Sequence, residues 1–545
     1  MLMALSAAAL AQPDSVPVPN FAENMPLLDS AQAVDTALIS LSDSAQMLTV
    51  VKKKERRLEL PKTVETTEVD TSGASRVFRY TINHATNDVV LQEVDTSLFY
   101  YRTDYPFFRN DVGAIYLGNF GSPVLYYDFF KRKNDYDFIF QQPYEPYFFT
   151  PSNVSFYNTT TPYTILYYGW SGSKSQMEDQ LRILHAQNIF NKFSFSLEYN
   201  NLGTKGQYAR QHIKSRSFNL GLSYLGKYYK ANLGYIFNDV EAQENGGIVD
   251  DKMILDTLVE PQMQQVRLQD AKNALNNSRI YLTHSLDLPL IYFGNDSVIN
   301  NILMARFGHS LELSTYGKLY TDRADTVFYE NNYLSKTATR DSLGLKNFDN
   351  KVFVQLRPLR AYIFESLAAG VGYKSMNTFM FDPGMYLTGA TSRSKYTTYA
   401  YASMSAWYKQ YFKWSAFAET NLNGYKSGDF KLGGDMTLSV YPIKGGVHLK
   451  AGVALTGNSP DFFIENYSTN HYRWTNNFGR DEELRLEAKL SIPSWRCEVG
   501  VSQSVHSNFI YFAGQEKNGK FGSDVFPVQH GEPLSITALT VNQNF

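Results

Sequence analysis

The chain's 545 residues carry 51 Lys and Arg against 53 Asp and Glu, a formal charge of −2, which leaves no electrostatic footprint for nucleic acid. Cys497 is the single cysteine, so a disulfide framework and any multi-cysteine metal site within one chain are excluded. Aromatic residues make up 15%, enough to furnish two membrane-interface girdles or a carbohydrate-binding surface.

Met3 to Ala11 is the only helical hydrophobic segment, and Ala9-Leu10-Ala11 before Gln12 fits a signal-peptidase site. Residues 1–11 are read as a signal peptide without its basic n-region, which places the true start upstream. No stretch reaches the ~18 apolar residues that a spanning helix needs. Residues 12–77 are poor in aromatics and carry the run Lys52-Lys53-Lys54-Glu55-Arg56-Arg57. They read as a largely irregular periplasmic segment or a small plug-like element.

The aromatic density rises abruptly near residue 78, and residues 78–545 are assigned to an outer-membrane β-barrel. Tyr136 to Phe149 is dense in rings. It reads as interfacial girdle plus one strand, the alternatives being an inward fold that constricts a pore or a stacking surface for sugars. From about residue 190 the chain alternates apolar with polar residues. Phe193, Phe195, Leu197 and Tyr199 interleave with Lys192, Ser194, Ser196 and Glu198. Hairpins follow at Phe218–Phe237, Thr398–Ala418 and Phe430–Leu455, and Leu484, Leu486, Ala488 and Leu490 alternate with charged residues. A strand with one greasy and one charged face lies between oil and water.

Tight turns near 226, 357, 409, 443 and 494 alternate with long polar segments at about 239–277, 317–347, 375–395, 457–481 and 507–532. Short periplasmic turns and long extracellular loops are the habit of bacterial barrels. The reading is an all-β fold: a large antiparallel transmembrane barrel of about 18 strands or more, counted from residue 113.

The polar parity supplies the candidate lumen-facing residues. They are Lys192, Glu198, Lys413, Glu419, Lys431, Asp435, His448, Lys450, Glu483, Arg485, Glu487 and Lys489. Their mixed signs predict weak ionic selectivity or cross-strand charge ladders, or simply a hydrated inner wall. Nine histidines without H-E-x-x-H spacing give no metal site. His506 near Ser504 and Asn508 is too slight a pattern for a barrel hydrolase, and the acidic loop at Asp250-Asp251 lacks the regular ligand order of a calcium loop. No enzyme activity and no cofactor are expected.

Three segments carry a family resemblance: Leu117 to Pro123 (LGNFGSP), Phe156 to Thr164 (FYNTTTPYT) and Glu244 to Asp251 (ENGGIVDD). In this order they resemble the putative porin family of Bacteroidetes-type outer membranes. The resemblance implies an outer-membrane barrel with a poorly defined substrate and no catalytic residues. Members of that family continue for several strands past the equivalent of Phe545, so a C-terminally incomplete chain is expected. The function expected is diffusion of small hydrophilic solutes in a lipid setting. The alternative is a blocked-lumen barrel that serves as a scaffold, as a homo-oligomer or in an outer-membrane complex.

Overall fold

The computed structural model describes residues 77–83, 85–94, 114–133, 136–173, 176–255, 258–293, 301–323, 328–358, 364–381, 392–517 and 520–543. The signal-peptide and N-terminal-segment readings lie outside the described residues.

One antiparallel sheet of 16 strands dominates. Its first strands are β1 (Tyr163–Ser171), β2 (Glu178–Phe190), β3 (Phe193–Thr204), β4 (Ile213–Leu225) and β5 (Tyr229–Gln243). The longest are β6 (Lys272–Phe293), β7 (Asn301–Asp322) and β8 (Thr339–Pro358), followed by β9 (Ser366–Met380), β10 (Ser392–Tyr408) and β11 (Phe412–Gly424). The last are β12 (Phe430–Val440), β13 (Val447–Asn458), β14 (Asp481–Ile492), β15 (Cys497–Ser507) and β16 (Leu534–Gln543). Each pairs with its sequence neighbour, from β1 to β16. Among the described residues no ladder joins β1 to β16.

Burial along these strands is inverted relative to a water-soluble protein. In β3, Ser194, Ser196 and Glu198 are only 7%, 1% and 7% exposed. In β14, Leu484, Leu486 and Leu490 are 38%, 44% and 40% exposed, while Glu483, next to Leu484 on the other parity, is buried. Water would impose the opposite arrangement; an apolar outer solvent imposes this one.

The connectors alternate as expected, but the strands run further than their apolar stripes. The loop expected at 239–277 spans 244–271, and that expected at 317–347 spans 323–338. Beyond the oil both faces are wet, so the alternation fades while the ladder continues. Arg216 and Asp239, directly paired across β4 and β5, form an ion pair on the outward parity just past Phe218 and Phe237. That pair marks where the greasy band ends.

The interior is filled by chain that precedes the wall. Val89–Gln92, Val77–Ile82 and Phe156–Thr159 form a three-stranded sheet in that order, and Ala114–Tyr116 pairs with Val124–Tyr126. Two 3-10 segments, Phe129–Lys131 and Ile139–Tyr147, follow the second hairpin. Among the described residues the wall has 16 strands, against the about eighteen or more expected, because the described segments before Tyr163 add nothing to it. The aromatic stretch 136–149 likewise turns inward instead of forming girdle and strand. Pro143 and Pro146 lie inside it, and proline cannot donate to a ladder within a wall.

This filler bonds to the inward parity of many strands. Tyr80 OH donates to Ser223 Oγ of β4 (2.6 Å) and Tyr401 OH of β10 to the Ala85 carbonyl (2.8 Å). Asn119 Nδ2 donates to Thr204 Oγ1 of β3 (2.6 Å), and Gln141 Nε2 to the Asn276 carbonyl of β6 (3.0 Å). Phe138, Tyr144, Tyr147 and Phe148 pack with Leu275, Tyr316 and Leu345 of the wall into an enclosed apolar core. The loop between β13 and β14 joins it from the other side. Phe463 lies 5.4 Å from Phe138 and 5.5 Å from Phe140, ring centre to ring centre. Asn470, 1% exposed, donates to the Ser335 carbonyl (2.9 Å) and Thr339 Oγ1 (2.8 Å).

Candidate functional site

Two cavities among the described residues lie between filler and wall. One of about 390 Å³ lies against β8–β12 and is lined by Lys351, Lys374, Lys395, Tyr399, Glu419 and Lys431, among others. The second, about 280 Å³, lies against β5–β7 and is bordered by Asn277, Arg279, Glu312 and Tyr316. Tyr136 and Asp137 of the filler border both. Asp137 is tied to the wall by an ion pair with Lys374 of β9 and by Tyr316 OH of β7 (3.0 Å). Burial raises its carboxyl pKa, but the charges of Lys374 and Arg279 outweigh that and hold it well below the usual carboxylate range.

The two tyrosines on the cavity wall owe their pose to glycines. Gly370 and Gly372 of β9 face Tyr401 and Tyr399 of β10 directly across the ladder. A Cβ on Gly372 would stand 2.2 Å from the Tyr399 ring, and one on Gly370 2.7 Å from the Tyr401 ring. The rings thus lie flat over bare backbone, an aromatic covering of a glycine. Tyr399 OH then reaches Asp349 Oδ1 (2.8 Å). Gly372→Val is expected to expel Tyr399 into the cavity; loss of the Asp349 contact in a structure of the variant checks this, and an unmoved ring would refute it.

Most of the sequence-predicted residues fall into three groups. Glu419 and Lys431, opposite each other across β11 and β12, line the larger cavity. Lys413, Asp435 and Lys450 share the same inward parity towards the short-turn end and are exposed, as is Ser415. Gly433 and Gly452 on that parity add no side chain, so the inner face of β11–β13 is a lane of small and polar groups below the cavity.

Glu483 and Arg485 instead fasten the filler. Glu483 Oε1 accepts from Arg485 Nε (2.8 Å) and Ser504 Oγ (2.7 Å), and Arg485 Nη1 donates to the Phe130 carbonyl (3.1 Å). His506, fully buried, meets the Phe129 ring edge-on at 5.4 Å. Glu487 is half-buried on the same stripe, and Lys489 sits opposite Lys450. Lys131 of the filler has its pKa lowered by burial and by the Lys489 charge. Glu198 is buried. His448 is bonded at the β12–β13 turn, to Ser439 Oγ (2.8 Å) and the Gly445 carbonyl (3.1 Å). Lys192 is a correction: it stands in the exposed Asn191-Lys192 turn, not on the wall, because its strand starts only at Phe193.

Lys351, Lys374, Lys395 and Lys426, the other cavity cations, escaped the sequence reading. The signal was present, since Val352 and Val354 alternate with Lys351, Phe353 and Gln355.

A sheet that is apolar outside, polar inside and wrapped on its own N-terminal segment defines an outer-membrane β-barrel protein of bacteria. The model of the family described as "Putative porin" matches residues 76–545. The chain belongs to the putative porin family. No curated protein matches it. Among solved structures it is similar to the siderophore receptor PirA from Acinetobacter baumannii, at 11% identity and a TM-score of 0.46, with 70% of this chain and 59% of that one covered. The siderophore receptor PirA from Pseudomonas aeruginosa gives 10%, 0.46, and coverage of 70% and 62%. The RagAB peptide importer in its closed-closed state gives 8%, 0.41, and coverage of 67% and 48%. The chain spans less than two thirds of the length of each.

Proposed function

We propose that this protein is a passive outer-membrane conduit for small hydrophilic solutes, without catalytic chemistry of its own. The observation that carries the reading is the lane on β11–β13. It runs from the larger cavity, past Glu419 and Lys431, to exposed Asp435, Lys413 and Lys450. Polar side chains along such a lane replace part of a solute's hydration, and the filler sets the size limit. Mixed charge along it favours neither ion sign strongly. In the membrane the outer edges of β1 and β16 need partners, since unpaired backbone groups in hydrocarbon cost several kcal/mol each.

The full-length protein in planar bilayers is expected to give stepwise conductance, and liposomes containing it are expected to swell in small sugars but not in large ones. Absence of single-channel steps at every voltage would sink the conduit reading. A second reading, a scaffold barrel with a blocked interior, is favoured by the filler itself, whose hydrogen bonds and ring contacts engage strands from β2 to β15. It predicts silence in both assays.

A further inference from the structure

We propose that the cavity on β8–β12 is a binding subsite for a small anionic solute, a hydroxylated ring that carries a carboxylate. The inference rests on the conduit reading and names the solute class for it. The acids of this cavity are already engaged. Asp349 accepts from Tyr399, and Asp137 is held by Lys374 and Tyr316. Asp429 accepts from Ser459 Oγ (2.7 Å) and Arg480 Nε (3.2 Å). Asp461 caps the short helix Phe462–Glu465 through Phe463 N (2.8 Å). Glu419 faces Lys431 across the ladder.

Lys395 is held differently from Lys374, which is paired with Asp137. Lys395 Nζ lies 3.3 Å from the centre of the Tyr425 ring and 5.2 Å from that of Phe462. Lys351 Nζ lies 5.7 Å from the centre of the Tyr401 ring, and Lys426 borders the same space. A ring face attracts an ammonium through its quadrupole, but a carboxylate gives a charge-assisted hydrogen bond, which is stronger. An arriving carboxylate draws Lys395 off Tyr425. It thereby bares an aromatic face on which the C–H side of a sugar ring can stack. Both halves of the ligand, acid and ring, are thus met by one rearrangement.

Calorimetric titration of the detergent-solubilised full chain with glucuronate and with glucose tests this. Glucuronate is expected to bind roughly tenfold more tightly than glucose, a charge-assisted bond being about twice as strong as a neutral one. Lys395→Gln is expected to erase that preference, and Lys395→Arg to keep it. Lys409→Gln, in the exposed turn after β10, serves as the folded control and should bind as the wild type does. Equal affinity for the two sugars, or a preference that survives Lys395→Gln, would overturn the assignment, as would no binding of either. Because binding is read without current, the two ideas fail separately. Conductance without glucuronate binding removes the subsite alone. Binding in a protein that never conducts removes the conduit alone.

Discussion

Leu486→Lys is expected to stop the protein from assembling in the membrane, whereas Arg485→Ser, its immediate neighbour, is expected to assemble. Leu486 points away from the filler, 44% exposed on the greasy face of β14. A cation there costs roughly 2–4 kcal/mol near the bilayer midplane. Arg485 points inward and bonds Glu483 and the Phe130 carbonyl. Its loss removes one tie to the filler but leaves Glu483 its bond from Ser504. Heat-modifiable migration on gels of purified outer membranes reads assembly directly. Equal tolerance of both substitutions would mean that inside and outside have been exchanged.

The second large effect is expected at the latch between filler and wall. Arg306 of β7, 5% exposed, binds Asp88 of the filler and Asp287 of β6, the latter at 2.6 Å. Gln355 Nε2 of β8 also donates to Asp88 (2.9 Å), and Asn87 Nδ2 donates to the carbonyls of His284 and His309 (3.3 Å each). Arg306→Met takes one of two cations from each carboxylate, leaving Asp88 with Arg357 (3.1 Å) and Asp287 with Lys230 (3.1 Å), so the expected loss falls below the about 3–5 kcal/mol that breaking a buried pair outright costs. Urea titration of the refolded protein should show that loss, and adding Asp88→Asn should restore part of it. A variant as stable as the wild type would show that the latch carries no load.

The same latch gives a pH dependence. Burial raises the Asp88 carboxyl pKa, yet Arg357 and Arg306 prevail and hold it below the usual carboxylate range. The folded value is thus below the unfolded one. The stabilisation is fully present at neutral pH and is lost as pH falls through the folded value. Proteolysis of the filler should rise between about pH 5 and about pH 2. The step should shrink in Asp88→Asn; an identical acid step there would move the effect to another group, Asp137 foremost.

The wall was legible in the sequence because a strand's period of two is set by the contrast between its two solvents. Leu484 and Glu483 must go opposite ways if one side is oil. The filler was not legible by that rule. An aromatic that packs inside a barrel and one that sits at a lipid interface look alike in composition, and only Pro143 and Pro146 separate the cases. Strand ends were hidden for a related reason: past Phe218 and Phe237 both faces meet water, so Asp239 reads as the start of a loop. Of the cavity, Glu419 and Lys431 followed from parity, whereas the role of Glu483 and Arg485 did not, because their partner at Phe130 is remote in sequence.

That remoteness constrains how the molecule is made. Asp88 meets Gln355, Ala85 meets Tyr401 and Phe130 meets Arg485, pairings separated by 267, 316 and 355 residues. Closing such long loops costs entropy before any contact repays it, so formation is slow. A finished wall offers no easy entry for a segment bonded to so many of its strands. The N-terminal filler therefore has to be in place while the strands are still being laid down around it. It acts as the mandrel on which the wall is wound, and deleting it should impair the winding itself.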